Sequence, residues 1–337
     1  VPTSPTPQIG QSSKLSVAPM MDWTDRHCRA FHRILSQEAL LYTEMVTAPA
    51  LVRGGALHLL RFDASEHPVA VQLGGSDPVE LAAATRLCVE AGYAEVNLNV
   101  GCPSDRVQSG SFGAILMESP GLVAECVLAM RAAAGDVPVT VKCRIGVDDQ
   151  EVENTLPEFL SRIVAAGCER VTIHARKAWL QGLSPKENRD IPPLNYDLVR
   201  EMKMLFSHLD ISVNGGIGSL DEALAFINGG LDGAMIGRAA YHEPYAILSQ
   251  VDQRVFGKDR PVISRHDAAL AMVPHIEAHL AEGGKLGQVT RHMLGLFTGQ
   301  PGARTWRRTL SEGAAQPSAG VEVLHAALAH VMPQTTS

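Results

Sequence analysis

The run Val96-Asn97-Leu98-Asn99-Val100-Gly101-Cys102-Pro103-Ser104 places two amides and a thiol where a buried strand gives way to a tight loop. Asn97 and Asn99 alternate with Val96, Leu98 and Val100, so both amides project from the same face of the strand. The loop carries Cys102 between a glycine and a proline. A lone cysteine in apolar surroundings is usually an inert packed thiol. Cys102 gains a chemical meaning only from what the rest of the chain can set beside it.

Other apolar runs end in the same way. One ends in Pro19, Met20 and Met21, another in Gln72, and others in Lys142 and Arg144, in His174 and Arg176, in Asn214-Gly215-Gly216 and in Gly237-Arg238. Glycines after a strand let backbone N–H groups approach a phosphate, and an arginine can hold its charge. Either glycine run alone reads equally well as a tight turn. An inward lysine at a strand end needs a specific partner. Lys142 with the amides of Gln72 and Asn97 suits a flavin, whose pyrimidine edge takes hydrogen bonds and whose reduced ring carries negative charge.

These residues need a scaffold that brings many strand ends together. Short apolar runs recur at Ser16–Met20, Ala39–Met45, Pro68–Leu73, Ala94–Asn99, Pro138–Arg144, Glu169–His174, Asp210–Asn214 and Asp232–Gly237. Helical segments separate them. Asp77-Pro78-Val79-Glu80 opens one, with Asp as N-cap, Pro at the first position and Glu at the third, and Gly92 closes it. Ser219-Leu220-Asp221-Glu222 opens another. Nearly continuous apolar strands alternating with helices predict an all-parallel sheet covered on both faces. Eight units over about 240 residues match an α/β fold of the (β/α)8 TIM-barrel type, whose active site lies at the C-terminal strand ends. A doubly wound open sheet is the alternative, but it needs no eighth strand and no early GxGxxG supports it.

From Gly257 the strand signals stop. Helical patterns run over Asp267–Glu282, with a kink expected at Pro274, and over Lys285–Leu296, Ala303–Glu312 and Val321–Val331. The reading is a tail over 1–13, a barrel over 14–256 and an appended α-helical domain over 257–337. The tail is rich in Pro, Ser, Thr and Gln and lacks the apolar centre of a signal peptide. The 337 residues are 45% hydrophobic, ordinary for a globular protein, and no stretch reads as a membrane span. Six cysteines without CxxC or zinc spacing read as reduced thiols in a cytoplasmic protein, with no metal site. A net charge of −7 argues against generic nucleic-acid binding but leaves room for a local basic face.

The chain resembles the flavin-dependent tRNA dihydrouridine synthases, and most closely their A subfamily. The resemblance is carried by APMMDWTDRHCR (18–29), VQLGG (71–75), VNLNVGCPSDRVQSGSFGA (96–114), VKCRIG (141–146), IHARKAWLQGLSPKENR (173–189), NGGI (214–217) and IGRAAY (236–241). These span the whole barrel. It implies FMN as cofactor and NADPH as reductant, hydride delivery to carbon 6 of a tRNA uridine, and protonation of carbon 5 by Cys102. A thiol with an ordinary pKa near 8.5 is mostly protonated at pH 7 and suits that task. By family position, FMN would contact Pro19, Met20, Met21, Gln72, Asn97, Lys142, His174, Asn214, Gly215, Gly216, Gly237 and Arg238. Asn99 would orient the uracil. The implied targets are uridines 20 and 20a of the D-loop.

A uridine held in the tRNA fold must be extruded to reach such a site, so a basic face is required. Between His174 and Arg189 lie Arg176, Lys177, Lys186 and Arg189 against one acid, Glu187; Arg144 sits at the neighbouring strand end. Between Lys285 and Arg308 lie Lys285, Arg291, Arg304, Arg307 and Arg308 with no acid. Arg304, Arg307 and Arg308 share a helix face, and Trp306 beside them offers an aromatic for base stacking. The expected partner is tRNA at its D-loop and elbow, with no membrane, and the enzyme is expected to be a monomer. Two alternatives are weighed: a barrel flavoenzyme acting on a free pyrimidine, such as a dihydroorotate or dihydropyrimidine dehydrogenase, and a noncatalytic tRNA-binding module. Neither explains the basic helical segment and an intact Cys102–Lys142 site together.

Overall fold

A computed structural model describes residues 13–104 and 112–332. The expected tail, Ser13 excepted, and residues 105–111 of the cysteine loop lie outside the described residues.

Eight parallel strands close into a barrel in sequence order, which decides for the TIM barrel over the open sheet. The strands are β1 (Leu15–Val17), β2 (Leu40–Thr47), β3 (Val69–Gly74), β4 (Glu95–Val100), β5 (Val139–Arg144), β6 (Arg170–His174), β7 (Asp210–Asn214) and β8 (Gly233–Ile236). Closure comes from β1 pairing with both β2 and β8. β1 is shorter than its apolar run because Pro19 has no N–H to donate; the last ladder bond is from Ala18 N to Ile236 O. Full closure leaves no unpaired strand edge, and nearly every strand residue is buried.

Helices α1 (Arg26–Leu35), α2 (Pro78–Glu90), α3 (Pro120–Ala134), α4 (Val152–Ala165), α5 (Tyr196–Leu205) and α6 (Leu220–Asn228) cover the barrel. The caps expected at Asp77 and Ser219 form: Asp77 accepts from Val79 N and Glu80 N, and Ser219 from Glu222 N. Gly92 turns the chain after α2 at φ +93°.

The last helices are α7 (Pro244–Leu248), α8 (Val251–Arg254), α9 (Arg265–Leu270), α10 (Val273–Ala281), α11 (Leu286–Thr290), α12 (Ala303–Gly313) and α13 (Val321–Leu328). Where one kinked helix was expected over 267–282, the chain breaks into α9 and α10. Pro274 lies at the second position of α10, where a missing N–H costs nothing. The pattern over 285–296 yields only the short α11, followed by a run of turns. Helices α7, α9 and α11 all pack on α1.

The junction carries charge as well as apolar contacts. Asp25 caps α1 through His27 N and Cys28 N, and also pairs with Arg291 and His292 after α11. Burial opposes charge on Asp25, yet the bonds from His292, the backbone and Arg291 hold its carboxyl well below the usual range.

Candidate active site

The C-terminal mouth of the barrel gathers the polar strand ends. Gln72 on β3 is register partner of Asn97 on β4, and Asn99 of Lys142 on β5. Gln72 Nε2 donates to Asn97 Oδ1 at 2.8 Å, and Asn99 Nδ2 donates to Gln72 Oε1 at 2.7 Å. Asn99 Oδ1 accepts from Gly101 N and Cys102 N at 3.1 and 3.0 Å, which fixes the start of the cysteine loop against the strand. Asn97 is wholly enclosed, and both ends of its amide are engaged inside the barrel, with Gln72 and with Thr140.

Cys102 differs from the other five cysteines in being partly exposed; the rest are buried. Its Sγ lies 3.5 Å from Ser104 Oγ. Burial pushes the thiols of Cys88, Cys126, Cys143 and Cys168 up to about 12 and that of Cys28 well above its ordinary value. They are inert packing thiols.

Beside Cys102 stands a group of nitrogens. Lys142 Nζ donates to Asn214 Oδ1 at 3.0 Å, and its charged neighbour is Arg144 rather than any carboxylate. Burial, and then Arg144, push Lys142 down to about 8. Burial, followed by Arg144, Lys142, Arg176 and Arg189, pushes His174 well below its ordinary value, so its ring is neutral. His174 Nε2 is buried without a hydrogen-bond partner among the described residues. An under-neutralised lysine, a neutral imidazole with an orphaned nitrogen and the Gln72 amide, which keeps a second N–H beyond its bond to Asn97, form a donor set that suits a planar ligand carrying negative charge.

The glycines shape the other side. Gly215 and Gly216 leave β7 at φ +106° and +72°. A Cβ on Gly215 would lie 2.6 Å from the His174 ring, and one on Gly216 2.6 Å from Leu194. Tyr196 OH donates to Gly215 O at 2.6 Å and pins the turn. A Cβ on Gly237 would come to 3.6 Å from Ala18 and from the sulfur of Met20, so the β8 end faces the β1 loop. Pro19 and Met20 are half-buried there, whereas Met21 is 55% exposed. Arg238 is paired with Asp190 at 2.8 Å. That contact keeps the guanidinium near the glycine turns with much of its surface open.

The basic residues divide into two groups. Arg144 is buried, donating to the carbonyls of Gly101, Lys177 and Asn188, so its guanidinium ties the cysteine loop to the 177–188 segment. Its expected place among phosphate contacts gives way to this internal clamp. Arg176 is half-buried and donates to the carbonyls of Asp190 and Pro192. Lys177 is half-buried, while Lys186, Arg189, Arg304, Arg307 and Arg308 are exposed. Trp306 is not: it is 0% exposed, and its indole N–H donates to Met293 O. It is a core residue of the helical region and cannot stack on a base.

A family model described as dihydrouridine synthase (Dus) matches residues 16–332. The chain belongs to the dihydrouridine synthase family. It is 57% identical over 321 residues to the "tRNA-dihydrouridine(20/20a) synthase" of Vibrio parahaemolyticus, covering 95% of this chain and 97% of that one. It is 54% identical to the protein of the same name from Yersinia pestis, covering 95% and 92%. Among solved structures, the old yellow enzyme homologue of Zymomonas mobilis shares the fold, with a TM-score of 0.53 at 12% identity, covering 74% of this chain and 90% of that one.

Three parts of the polar framework around the barrel escaped the sequence reading. Asn188, fully buried, organises the segment after β6: its Oδ1 accepts from Trp179 N, and its Nδ2 donates to the carbonyls of Trp179 and Leu183. An asparagine in a charged loop carries no periodic signal that would reveal this. Glu95 and Thr140, below the mouth, are the second part. The third is a histidine group at the junction with the helical region, where His27 Nδ1 lies 2.8 Å from His275 Nε2 and the His279 ring stands 4.3 Å from that of His27.

Gly215→Ala tests the cradle. The left-handed backbone and the clash with His174 should lower stability by about 1–3 kcal/mol, read by urea unfolding. The purified variant should also have lost its visible flavin absorbance. Unchanged stability and flavin content would show that the turn tolerates a side chain.

Proposed function

We propose that this enzyme reduces the C5–C6 double bond of uridines 20 and 20a in the D-loop of tRNA, giving 5,6-dihydrouridine. The observation that carries the reading is the placement of its single partly exposed thiol, Cys102, on a loop held by Asn99 and close to Lys142. The names of the Vibrio and Yersinia relatives support the substrate and the positions.

The donor set fits FMN. Gln72, Lys142 and His174 would hold the ring, with Asn97 supporting Gln72 from below. Asn214, Gly215, Gly216, Gly237 and Arg238 would hold the ribityl phosphate, and Pro19, Met20 and Met21 would flank the ring from the β1 loop. FMN held by these residues would supply hydride for carbon 6 of the uracil, with NADPH as the reductant. Cys102 then gives its S–H proton to carbon 5, completing the addition of two hydrogens across the double bond, and recovers a proton from water. Asn99 fixes the loop from which Cys102 acts. Lys142 keeps a positive charge at the ring edge.

Residues 14–256 act as the catalytic domain and 257–337 as a tRNA-binding domain. The exposed Arg304, Arg307 and Arg308 on α12, with Lys186 and Arg189 near the mouth, position phosphates while the target base is extruded. Among the described residues no helix is long and apolar enough to cross a membrane, and no group of three metal-ligating side chains converges. The enzyme works as a monomer in the cytoplasm, where tRNA and reduced thiols coexist.

Incubation of the purified protein with NADPH and an unmodified tRNA transcript tests this, with nuclease fragments mapped by mass spectrometry. A gain of two hydrogens confined to positions 20 and 20a is expected. A gain elsewhere overturns the site assignment. NADPH oxidation without any tRNA product moves the substrate to a free pyrimidine.

A further inference from the structure

The amides at the barrel mouth are the upper end of a longer hydrogen-bonded chain. Below Asn97, its Nδ2 donates to Thr140 Oγ1 at 2.8 Å, and Thr140 Oγ1 donates to Glu95 Oε1 at 2.6 Å. Glu95 is fully enclosed. Its second oxygen accepts from Arg170 Nη1 at 2.7 Å, and Tyr42 OH donates to Oε1, the oxygen that Thr140 uses. Burial and the Glu95 carboxylate push the Tyr42 phenol well above its ordinary value, which keeps it a donor. The chain thus runs from Glu95 through Thr140, Asn97, Gln72 and Asn99 to the backbone N–H of Cys102.

Its direction follows from chemistry. An ionised carboxylate only accepts. Thr140 must therefore give its single proton to Glu95 and can only accept from Asn97. That turns Asn97 so that its oxygen faces Gln72, which must donate its Nε2–H there. Gln72 then offers Oε1 to Asn99, and Asn99 offers Oδ1 upward, where two backbone N–H groups require an acceptor. Both ends demand the same polarity, so neither Gln72 nor either asparagine can flip without leaving buried groups unpaired. A buried ion pair such as Glu95–Arg170 is weak evidence for stability and needs another reason for its presence.

We propose that Glu95 and Thr140 are positioning residues, which lock the carboxamide of Gln72 in the one orientation that meets the flavin. The inference rests on the reading that FMN lies against Gln72. Glu95 and Thr140 touch neither cofactor nor substrate; they act through Asn97.

The test compares Thr140→Val, Thr140→Ser and Tyr42→Phe. Valine keeps the shape and removes the relay oxygen, serine keeps that oxygen, and Tyr42→Phe removes a second donor to the same Glu95 oxygen while leaving the Asn97–Thr140–Glu95 bonds in place. FMN affinity of the stripped protein, by fluorescence quenching, and the visible circular dichroism of bound flavin are read beside stability and steady-state kinetics. Thr140→Val should weaken FMN binding by about tenfold, alter the flavin dichroism and lower kcat with KM for tRNA unchanged. Thr140→Ser should restore all three. Tyr42→Phe should lose stability alone. If Thr140→Val does not fold, Thr140→Ala removes the same oxygen without adding a branched methyl.

Equal behaviour of Thr140→Val and Tyr42→Phe in the flavin readouts overturns the proposal. If Gln72→Ala weakens FMN binding while Thr140→Val does not, the inference fails and the functional reading stands. If the wild-type protein binds no FMN, both fall.

Discussion

Cys102→Ala lowers turnover of tRNA by about 10²–10⁴, the usual contribution of a positioned general acid, and leaves tRNA affinity unchanged. The expectation follows from two features. The thiol is the one of six that is not buried, and its loop is anchored by two backbone bonds to Asn99, the sulfur itself making only a long contact to Ser104 Oγ. Removing the sulfur should therefore spare both the loop and the mouth. Single-turnover reduction with saturating tRNA isolates the chemical step, and filter binding reports affinity. Cys143→Ala is the matched control, because that thiol is buried in β5 with its pKa pushed up to about 12. It should cost stability and spare the rate at saturating FMN. A parallel loss of rate and affinity in Cys102→Ala would mean that the cysteine holds the loop in shape instead of giving a proton. A limiting dose of a thiol reagent gives an independent check, since it should modify Cys102 ahead of the others.

The barrel was legible in the sequence because its strands are enclosed on both faces. Asp210–Asn214 was bounded correctly at both ends, and the other runs shift by only a few residues, since apolar composition marks burial but not the first ladder bond. The strand-end residues were legible for the same reason: a polar side chain that interrupts such a run needs a cause. What was not legible depended on contacts distant in sequence. Arg144 reads as a free cation, because the carbonyls it clamps lie on the cysteine loop and on the 177–188 segment, both distant in sequence. Glu95 opens an apolar strand and reads as its solvent end; its ion-pair partner is 75 positions away.

Trp306 differs, because its burial follows from a local period. Ala303, Trp306 and Leu310, spaced three and four apart, form the buried stripe of α12, and the arginines form its outer face. The period was in the sequence. Adjacency to arginine points to the surface, but the helical position decides burial.

Lys142→Met produces the second large effect, and in opposite directions for cofactor and fold. Burial and Arg144 hold Lys142 down to about 8, below its ordinary value of 10.5. The folded protein therefore binds that proton less tightly than the unfolded chain. The penalty on folding is complete below pH 8 and is relieved as pH rises from about 8 toward 10.5. Removing the charge should stabilise the cofactor-free protein at pH 7 by about 1–3 kcal/mol, a gain that fades above pH 8. Methionine keeps the length of the stem while losing the ammonium and its bond to Asn214.

For the flavin the sign is reversed. Negative charge beside Lys142 favours the protonated lysine, so wild-type affinity for FMN should be highest below pH 8 and fall as pH rises through it. The slope approaches tenfold per pH unit at its steepest. Lys142→Met should bind FMN with no such dependence between pH 7 and 9, and its rate of reduction by NADPH should drop by about 10²–10³, the cost of losing one preorganised electrostatic contact. Denaturant unfolding of the stripped protein and flavin titration at several pH values measure the two arms together. A variant that is both less stable and equally dependent on pH would show that Lys142 is a structural lysine whose partner is Asn214. A variant that is more stable yet unable to use flavin would show that the fold tolerates an unpaired cation at the barrel mouth because the chemistry requires it.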